Sequence, residues 1–391
     1  MKLLYITPFW SGTKPFFLNS SVKNSGMPAF YNVFLSLLKD PKVDLIYVYL
    51  FSYDLGKEID FPEEFKDKLV VKPIYIKGRM SLYINFIKTY FSGVKLVRNK
   101  GVDVIYSHGT ISFIGSLIGL RTKVNHFRRI YGTFLYPKVL KKKNPLLANF
   151  FEYLSFKLPS NGLIVTNDGT SGDKVFNYIN KKKSTKLHFL LNGIDKKLIF
   201  KEKFNKFPLK ETFFTYIARV DEWKRQHLLI EVLGELKKEG VEFPHTYIVG
   251  PIYSKLYKDN LEIMIIELGL SSNVSIKGAV SKYEANYLLK KSLLSFSLYD
   301  YSNLGNVFLE GLSLGTPMVA INEYNSLDSF PKNVYLSLDK ADKVEIKRKI
   351  QSAMENPTNI EVVKENAIEY SHKHILSWED RISVEKNIIF N

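Results

Sequence analysis

The strongest constraint on the fold is a rhythm. Short runs of β-branched and aromatic residues alternate with longer stretches whose apolar residues recur at helical spacing, and the series runs twice. In the first half the pattern predicts strands at 2–7, 43–50, 69–76, 102–106, 127–131 and 162–166. Helices are predicted between them at 28–39, 80–99, 111–120, 146–157 and 171–180. Apolar runs of this length, each followed by a helical period, indicate parallel βαβ units. A basic stretch at 180–186 interrupts the series, followed by a short strand and turn at 187–195 and a charged segment at 196–210. The second series predicts strands at 213–218, 246–249, 274–277, 294–297 and 318–321. Its helices fall at 223–239, 258–268, 282–291, 307–314 and 344–355, with two more at 362–372 and 378–387. The expected fold class is α/β, with two Rossmann-like, doubly wound domains facing a cleft. Expected limits are 1–186 and 187–372, with a terminal segment at 373–391.

Composition narrows the function. A chain of 391 residues, 45% hydrophobic and 24% charged, is an ordinary globular sequence and not a disordered one. There are no cysteines, which excludes disulfides, thiolate metal sites and a cysteine nucleophile. Of seven histidines only His372 and His374 are closely spaced, and no third one joins them. They read as a polar turn, so no metal site is expected. Lys plus Arg is 56 against 39 Asp plus Glu, a net charge of +17. That excess favours an anionic partner: nucleic acid, an acidic membrane face or a phosphorylated small molecule. No nucleic-acid-binding motif accompanies it, and a nucleic-acid partner is not expected. No apolar run approaches the ~18–20 residues of a membrane span. The segment Leu3–Phe9 follows one lysine, contains Pro8 and lacks a small-residue cleavage site, so it reads as a buried strand and not a signal peptide. A cytoplasmic location is expected.

In open parallel sheets ligands bind beyond the carboxyl ends of strands, so residues just after strands carry the chemistry. After 213–218 come Arg219 and Lys224. An arginine fork and a lysine point charge at a strand end and helix start suit a diphosphate, although a solvated basic turn has the same composition. After 294–297 comes Ser302-Asn303-Leu304-Gly305-Asn306, with Asn306 a candidate N-cap and Gly315-Thr-Pro317 a helix stop. Glu310 falls on the apolar stripe of the intervening helix with Val307 and Leu314. A carboxylate there needs partners. Ribose hydroxyls are one choice; a structural lysine is another. Gly250 and Gly278, the latter shortly before Val280, read as strand-end turns where backbone approaches a planar base. In the first half, Gly26 precedes the first long helix without forming the GxGxxG fingerprint. His108 and Tyr131 each follow a predicted strand and precede Gly-Thr.

The ordered set resembles the retaining GT-B glycosyltransferases of the "glycosyl transferases group 1" type, family 4. It runs through Asp103-Val-Ile-Tyr-Ser-His108-Gly, Asn192-Gly-Ile-Asp195, Arg219, Lys224, Val249-Gly-Pro and Glu267-Leu-Gly-Leu270, and ends with Glu310 and Gly315-Thr-Pro317. The resemblance implies a nucleotide-diphosphate sugar as co-substrate, no cofactor and no required metal. It gives Arg219 and Lys224 the diphosphate and Glu310 the ribose. Ser302, Asn303, Leu304, Gly305, Asn306, Gly250 and Val280 line the donor, while Gly26, His108 and Tyr131 lie on the acceptor or sugar side. The helix with Ser377-Trp378-Glu379 and Arg381 would cross back to the first domain. One position departs: Ser302 stands where the family carries the first glutamate of its Glu-x7-Glu motif. Tyr131 likewise replaces a histidine found in many relatives.

The segment Lys138–Phe156 mixes lysines with apolar and aromatic residues. It can lie on an anionic membrane surface, as a peripheral contact on the inner face, or be a helix with its apolar side in the core. The implied function is hexosyl transfer from a nucleotide sugar to a glycan or lipid-linked glycan, in polysaccharide biosynthesis. The alternative is a catalytically weak or silent protein of this fold that assists a partner transferase, an alternative favoured by Ser302.

Overall fold

The computed structural model describes residues 1–10, 12–18, 28–54, 58–147, 149–181, 184–196 and 204–391. The first sheet contains β1 (Lys2–Pro8), β2 (Leu45–Ser52), β3 (Leu69–Tyr75), β4 (Val104–His108), β5 (Asn125–Ile130), β6 (Gly162–Thr166) and β7 (Lys186–Leu190). Every pairing in it is parallel, in the order β3-β2-β1-β4-β5-β6-β7. Strands β1, β4 and β6 have five consecutive buried residues, as strands covered on both faces require. Helix Pro28–Lys39 covers one face; Arg79–Lys100 and Phe113–Thr122 cover the other.

The second sheet contains β8 (Phe213–Ile217), β9 (His245–Val249), β10 (Val274–Lys277), β11 (Leu294–Ser297), β12 (Met318–Ile321) and β13 (Leu336–Leu338). Its order is β10-β9-β8-β11-β12-β13, again all parallel. In both sheets the chain works outward from a central strand in one direction and then returns to its other side. That reversal creates a switch point, between β1 and β4 in the first sheet and between β8 and β11 in the second.

The chain divides into one unit of residues 1–192 with 378–391 and another of 193–377. The first unit therefore runs past the expected limit at 186. The segment expected as a short strand opening the second domain is β7, and it pairs with β6 from Gly162↔Lys186 to Thr166↔Leu190. The sequence-predicted strands are all present. The three-residue β13 was too short to show a period. His372 and His374 close the helix Pro357–His374, so the expected polar turn there is a helix end.

The terminal helix Trp378–Phe390 belongs to the first unit. Its Ile389 is buried in the core beside the helix Pro28–Lys39, and Lys386 pairs with Asp40. At the centre of this docking lies Glu385, 1% exposed, which meets Arg129 Nε at 3.2 Å and Arg381 Nη1 at 2.8 Å. Tyr106 Oη donates to the same carboxylate. Arg381 Nε also donates to the Leu191 carbonyl at 2.8 Å, and Arg129 lies over the Tyr131 ring at 4.4 Å.

Candidate active site

The second unit gathers its predicted site residues at the carboxyl ends of its strands. Beyond β8 the chain runs through Arg219 into a single turn, Glu222–Lys224, and only then into the helix Gln226–Lys238. Arg225, with φ +47°, breaks the two apart. Gln226, fully buried, donates from Nε2 to the Arg219 carbonyl at 2.7 Å and so holds the turn. The Arg219 side chain is about half exposed; it pairs with Asp221 at 3.2 Å and lies over the Tyr253 ring at 4.6 Å. Lys224 Nζ sits 3.6 Å from the centre of the Tyr299 ring. Burial pushes the Tyr299 hydroxyl up, and among the smaller influences the Arg219 charge pulls it back.

Tyr299 comes from the loop beyond β11, which places this contact at the switch point. The two loops are also tied directly. Asp300 N–H donates to the Trp223 carbonyl at 2.9 Å, and Arg225 pairs with Asp300 and with Glu323, the latter at 3.2 Å. Asp300, two residues before Ser302, is thus held by Arg225.

From Ser302 to Asn306 the backbone turns into the helix Asn306–Leu314. Ser302 has φ +65°, an uncommon conformation for a residue with a side chain. Asn303 is buried, and its amide serves the turn: Oδ1 accepts from Tyr299 N–H and Nδ2 donates to the Tyr299 carbonyl, both at 2.9 Å. Leu304 is buried as well. The side chains of Asn303 and Leu304 therefore belong to the loop's own packing. The N-cap is Gly305 and not the expected Asn306, and it provides no side-chain cap. A helix start of this kind presents backbone N–H groups and a positive dipole end to an anion. Gly315, with φ +69°, ends the helix as expected.

Glu310 is 4% exposed and pairs through Oε1 with Lys282. Burial pushes its carboxyl up from the ordinary range; Lys282 pulls it back and Asp195 adds to the rise. Lys282 is presented by a capping box: Ser281 N–H donates to Glu284 at 2.7 Å and Glu284 N–H donates to Ser281 Oγ at 3.3 Å. Lys282 is the partner that the described residues give this carboxylate. A carboxylate with one oxygen engaged keeps acceptor capacity for further donors.

The strand-end glycines differ from one another. Gly250 has φ +152°, and a Cβ there would stand 1.9 Å from the Ala218 carbonyl oxygen. It is needed because the backbone leaving β8 crosses it. Gly278 and Gly305 have open space instead, and Val280 is half-buried. Gly250→Ala is expected to lose about 2–4 kcal/mol of stability in urea unfolding, from backbone strain and overpacking. Gly278→Ala should stay within about 0.5 kcal/mol of wild type. Equal losses would remove the distinction.

In the first unit, His108 ends β4 and Tyr131 follows β5, and they meet: His108 Nδ1 lies 3.0 Å from Tyr131 Oη. The imidazole is 1% exposed and packed on Tyr5 and Tyr106 at centroid distances of 4.4 and 4.3 Å. Burial, then the Arg129 charge, pushes its pKa well below the ordinary histidine range. Its Nε2 is buried with no hydrogen-bond partner among the described residues. Gly26 lies outside the described residues.

Sequence reasoning did not find Lys282, Tyr299 or Arg225. Ser281-x-x-Glu284 was a legible start signal that places Lys282 in the first turn. Nothing local marks Tyr299 as the seat of Lys224.

Residues 199–370 match the sequence model of the family described as "Glycosyl transferases group 1". The capsular polysaccharide biosynthesis glycosyltransferase CapH of Staphylococcus aureus is 30% identical over 198 residues, covering 49% of this chain and 52% of that protein. The chain thus matches about half the length of that curated relative. The whole chain is similar in fold to HepE of Anabaena, solved with UDP, with a TM-score of 0.69 at 15% identity over 99% of each chain. The lipopolysaccharide outer core galactosyltransferase WaaB is similar over 100% of this chain and 99% of that one, with a TM-score of 0.68 at 12% identity. The fold is the two-domain α/β fold of the GT-B glycosyltransferases.

Proposed function

We propose that the protein is a retaining, metal-independent glycosyltransferase that moves a hexose from a nucleotide-diphosphate sugar to a glycan or lipid-linked glycan in polysaccharide biosynthesis. The observation that carries this reading is the convergence of Arg219, Lys224 and the uncapped start of the helix Asn306–Leu314 on one switch point. Two cations and a helix start suit two adjacent phosphates, and they favour the charge that grows as the diphosphate departs. Glu310 accepts ribose hydroxyls beside Lys282. The amides of residues 302–306 contact phosphate and sugar; Gly250 and Val280 flank the base. The bond from the sugar's anomeric carbon to the diphosphate breaks on the face where the acceptor oxygen bonds. The acceptor proton passes to the departing phosphate oxygen, and no side-chain nucleophile takes part. The acceptor falls to the first unit, with Gly26, His108 and Tyr131 on that side. No helix of the described residues is long and apolar enough to cross a membrane, and the proposed location is cytoplasmic.

The UDP and UDP-glucose complexes of HepE make UDP the first donor nucleotide to try. Thermal unfolding with UDP, GDP and ADP tests the reading. A ligand at 100 times its Kd adds about 2.7 kcal/mol to the folded state. UDP is expected to raise the Tm with the smallest concentration; no shift with any of the three would overturn the donor assignment. Ser302 favours a second reading, a non-catalytic partner of the same fold. UDP binding without transfer to any glycan or hydrolysis of a UDP-sugar would support it.

A further inference from the structure

In the second unit the strained backbone is gathered in one place. Among its described residues, four that carry a side chain have positive φ: Arg225 at +47°, Ser302 at +65°, Tyr324 at +61° and Asn325 at +59°. Residues other than glycine seldom adopt this conformation, and it persists where the surroundings enforce it, commonly at a functional site. The four lie in three loops, those that follow β8, β11 and β12, and these strands are neighbours in the sheet. Two of the loops carry the cations and the helix start described above. The third, around Glu323, has no role so far.

One side chain ties the three together. Arg225 leaves the first loop, pairs through Nη2 with Asp300 on the second, and meets Glu323 Oε2 on the third through Nη1 at 3.2 Å. Glu323 passes the tie onward, since its Oε1 accepts from Ala341 N–H at 3.1 Å, beyond β13. A planar fork can hold two carboxylates at fixed angles, which a lysine cannot. From the other end of the second loop, Asn303 closes on Tyr299 through both of its amide atoms. Ser302 therefore stands on a stretch of backbone pinned on both sides, and the helix start follows directly. Glycine would take φ +47° without strain, so position 225 is occupied by arginine for its side chain and not for its backbone. One guanidinium between two carboxylates makes a cluster of net negative charge. It serves a bound anion through geometry and not through attraction.

We propose that Arg225 is a positioning residue of the donor site: through Asp300 and Glu323 it fixes the loop 299–305, so that the backbone amides and the helix start there meet the second phosphate of a nucleoside diphosphate. Arg225 itself does not touch the donor. The inference rests on the donor reading given above and deepens it, because it names what holds the phosphate-facing loop in place.

The test compares UMP with UDP, which differ by that second phosphate, in calorimetric titrations of the full chain. Wild type is expected to bind UDP more tightly than UMP. Arg225→Gly should cut the advantage of UDP about tenfold and leave the Kd of UMP little changed, the cost of a misplaced contact and not of a lost one. Its Tm should stay near that of wild type, since relief of the strained backbone offsets the lost ion pairs. Arg225→Lys should fall between the two. Asp300→Asn separates geometry from attraction, and Asp300 is about half exposed, so this variant keeps the fold. It removes a negative charge, which would tighten UDP if attraction governed; the expected result is weaker UDP binding. Without nucleotide, amide exchange at 299–305 should rise in Arg225→Gly and in Asp300→Asn. UDP binding by wild type with an unchanged UDP-to-UMP ratio in Arg225→Gly overturns the inference and leaves the donor reading in place, and so does tighter UDP binding by Asp300→Asn. Absence of UDP binding by wild type removes the donor reading and the inference with it.

Discussion

Replacing Lys224 by alanine is expected to lower sugar transfer by about 10²–10³-fold, the cost of removing one preorganised donor to developing negative charge. The ammonium reaches the site from a single turn whose backbone is held from both ends. Tyr216 Oη donates to the Lys224 carbonyl, and Lys224 N–H donates to the Asp221 carbonyl at 3.0 Å. Alanine keeps both and removes the charge together with its seat on Tyr299. Removal of that cation–π contact costs about 0.5–1 kcal/mol at a site open to water, too little to unfold the unit. Arg219→Ala should lower transfer alike; its own side chain is about half exposed, but its partner Asp221 is buried, so some loss of stability is expected beside the loss of transfer. The measurement is initial-rate transfer from a UDP-sugar, with unfolding followed in parallel. Wild-type turnover in either variant would remove the assigned role.

The largest effect on stability is expected at Glu385→Ala, about 3–5 kcal/mol, because it leaves two guanidinium groups buried without their counter-charge. Arg129 and Arg381 share that one carboxylate, and all three side chains are no more than 3% exposed. Water cannot replace the lost partner without opening the contact between the terminal helix and the first sheet. Urea unfolding gives the magnitude. Amide exchange in residues 378–390 should rise most, since Glu385 and Arg381 are what that helix contributes to the network. The triple variant Arg129→Met/Arg381→Met/Glu385→Leu should recover much of the loss, as replacing a whole buried ionic group by apolar side chains often does. A loss below about 1 kcal/mol in Glu385→Ala would show that the network is not what seats the helix.

Much of this architecture was legible from residue patterns. Strands β6, β10, β11 and β12 and the helix Lys282–Lys291 fall at their sequence-read limits. Apolar runs and helical periods are local properties, and a strand buried on both faces has little choice of residue. The glycine and proline that stop the helix after Leu314 were equally legible, since a left-handed backbone and a missing N–H act at the residue that carries them.

What the pattern did not hold was partnership. Glu310 stood out as a carboxylate on an apolar stripe, yet that its partner is Lys282 depends on two helices packing side by side. Asn303 looked like a ligand-facing polar residue and proved to brace its own loop. The charge of Asp300 is plain in the sequence, but its partner Arg225 comes from across the switch point. Arg129 and Glu385 are separated by 256 residues and meet only because the terminal helix returns to the first sheet. The strand at 186–190 joined the first sheet because β6 offered it a parallel edge. Helical period shows that residues share a face, while only the assembled core decides which faces remain uncovered, as Ile87 and Phe91 do on the helix Arg79–Lys100. The sequence by itself determined the elements, their order and the places where the chain must turn. Tertiary structure alone decided which charges meet, because the distance between two side chains is set by the path of the whole chain and not by the residues adjoining either one.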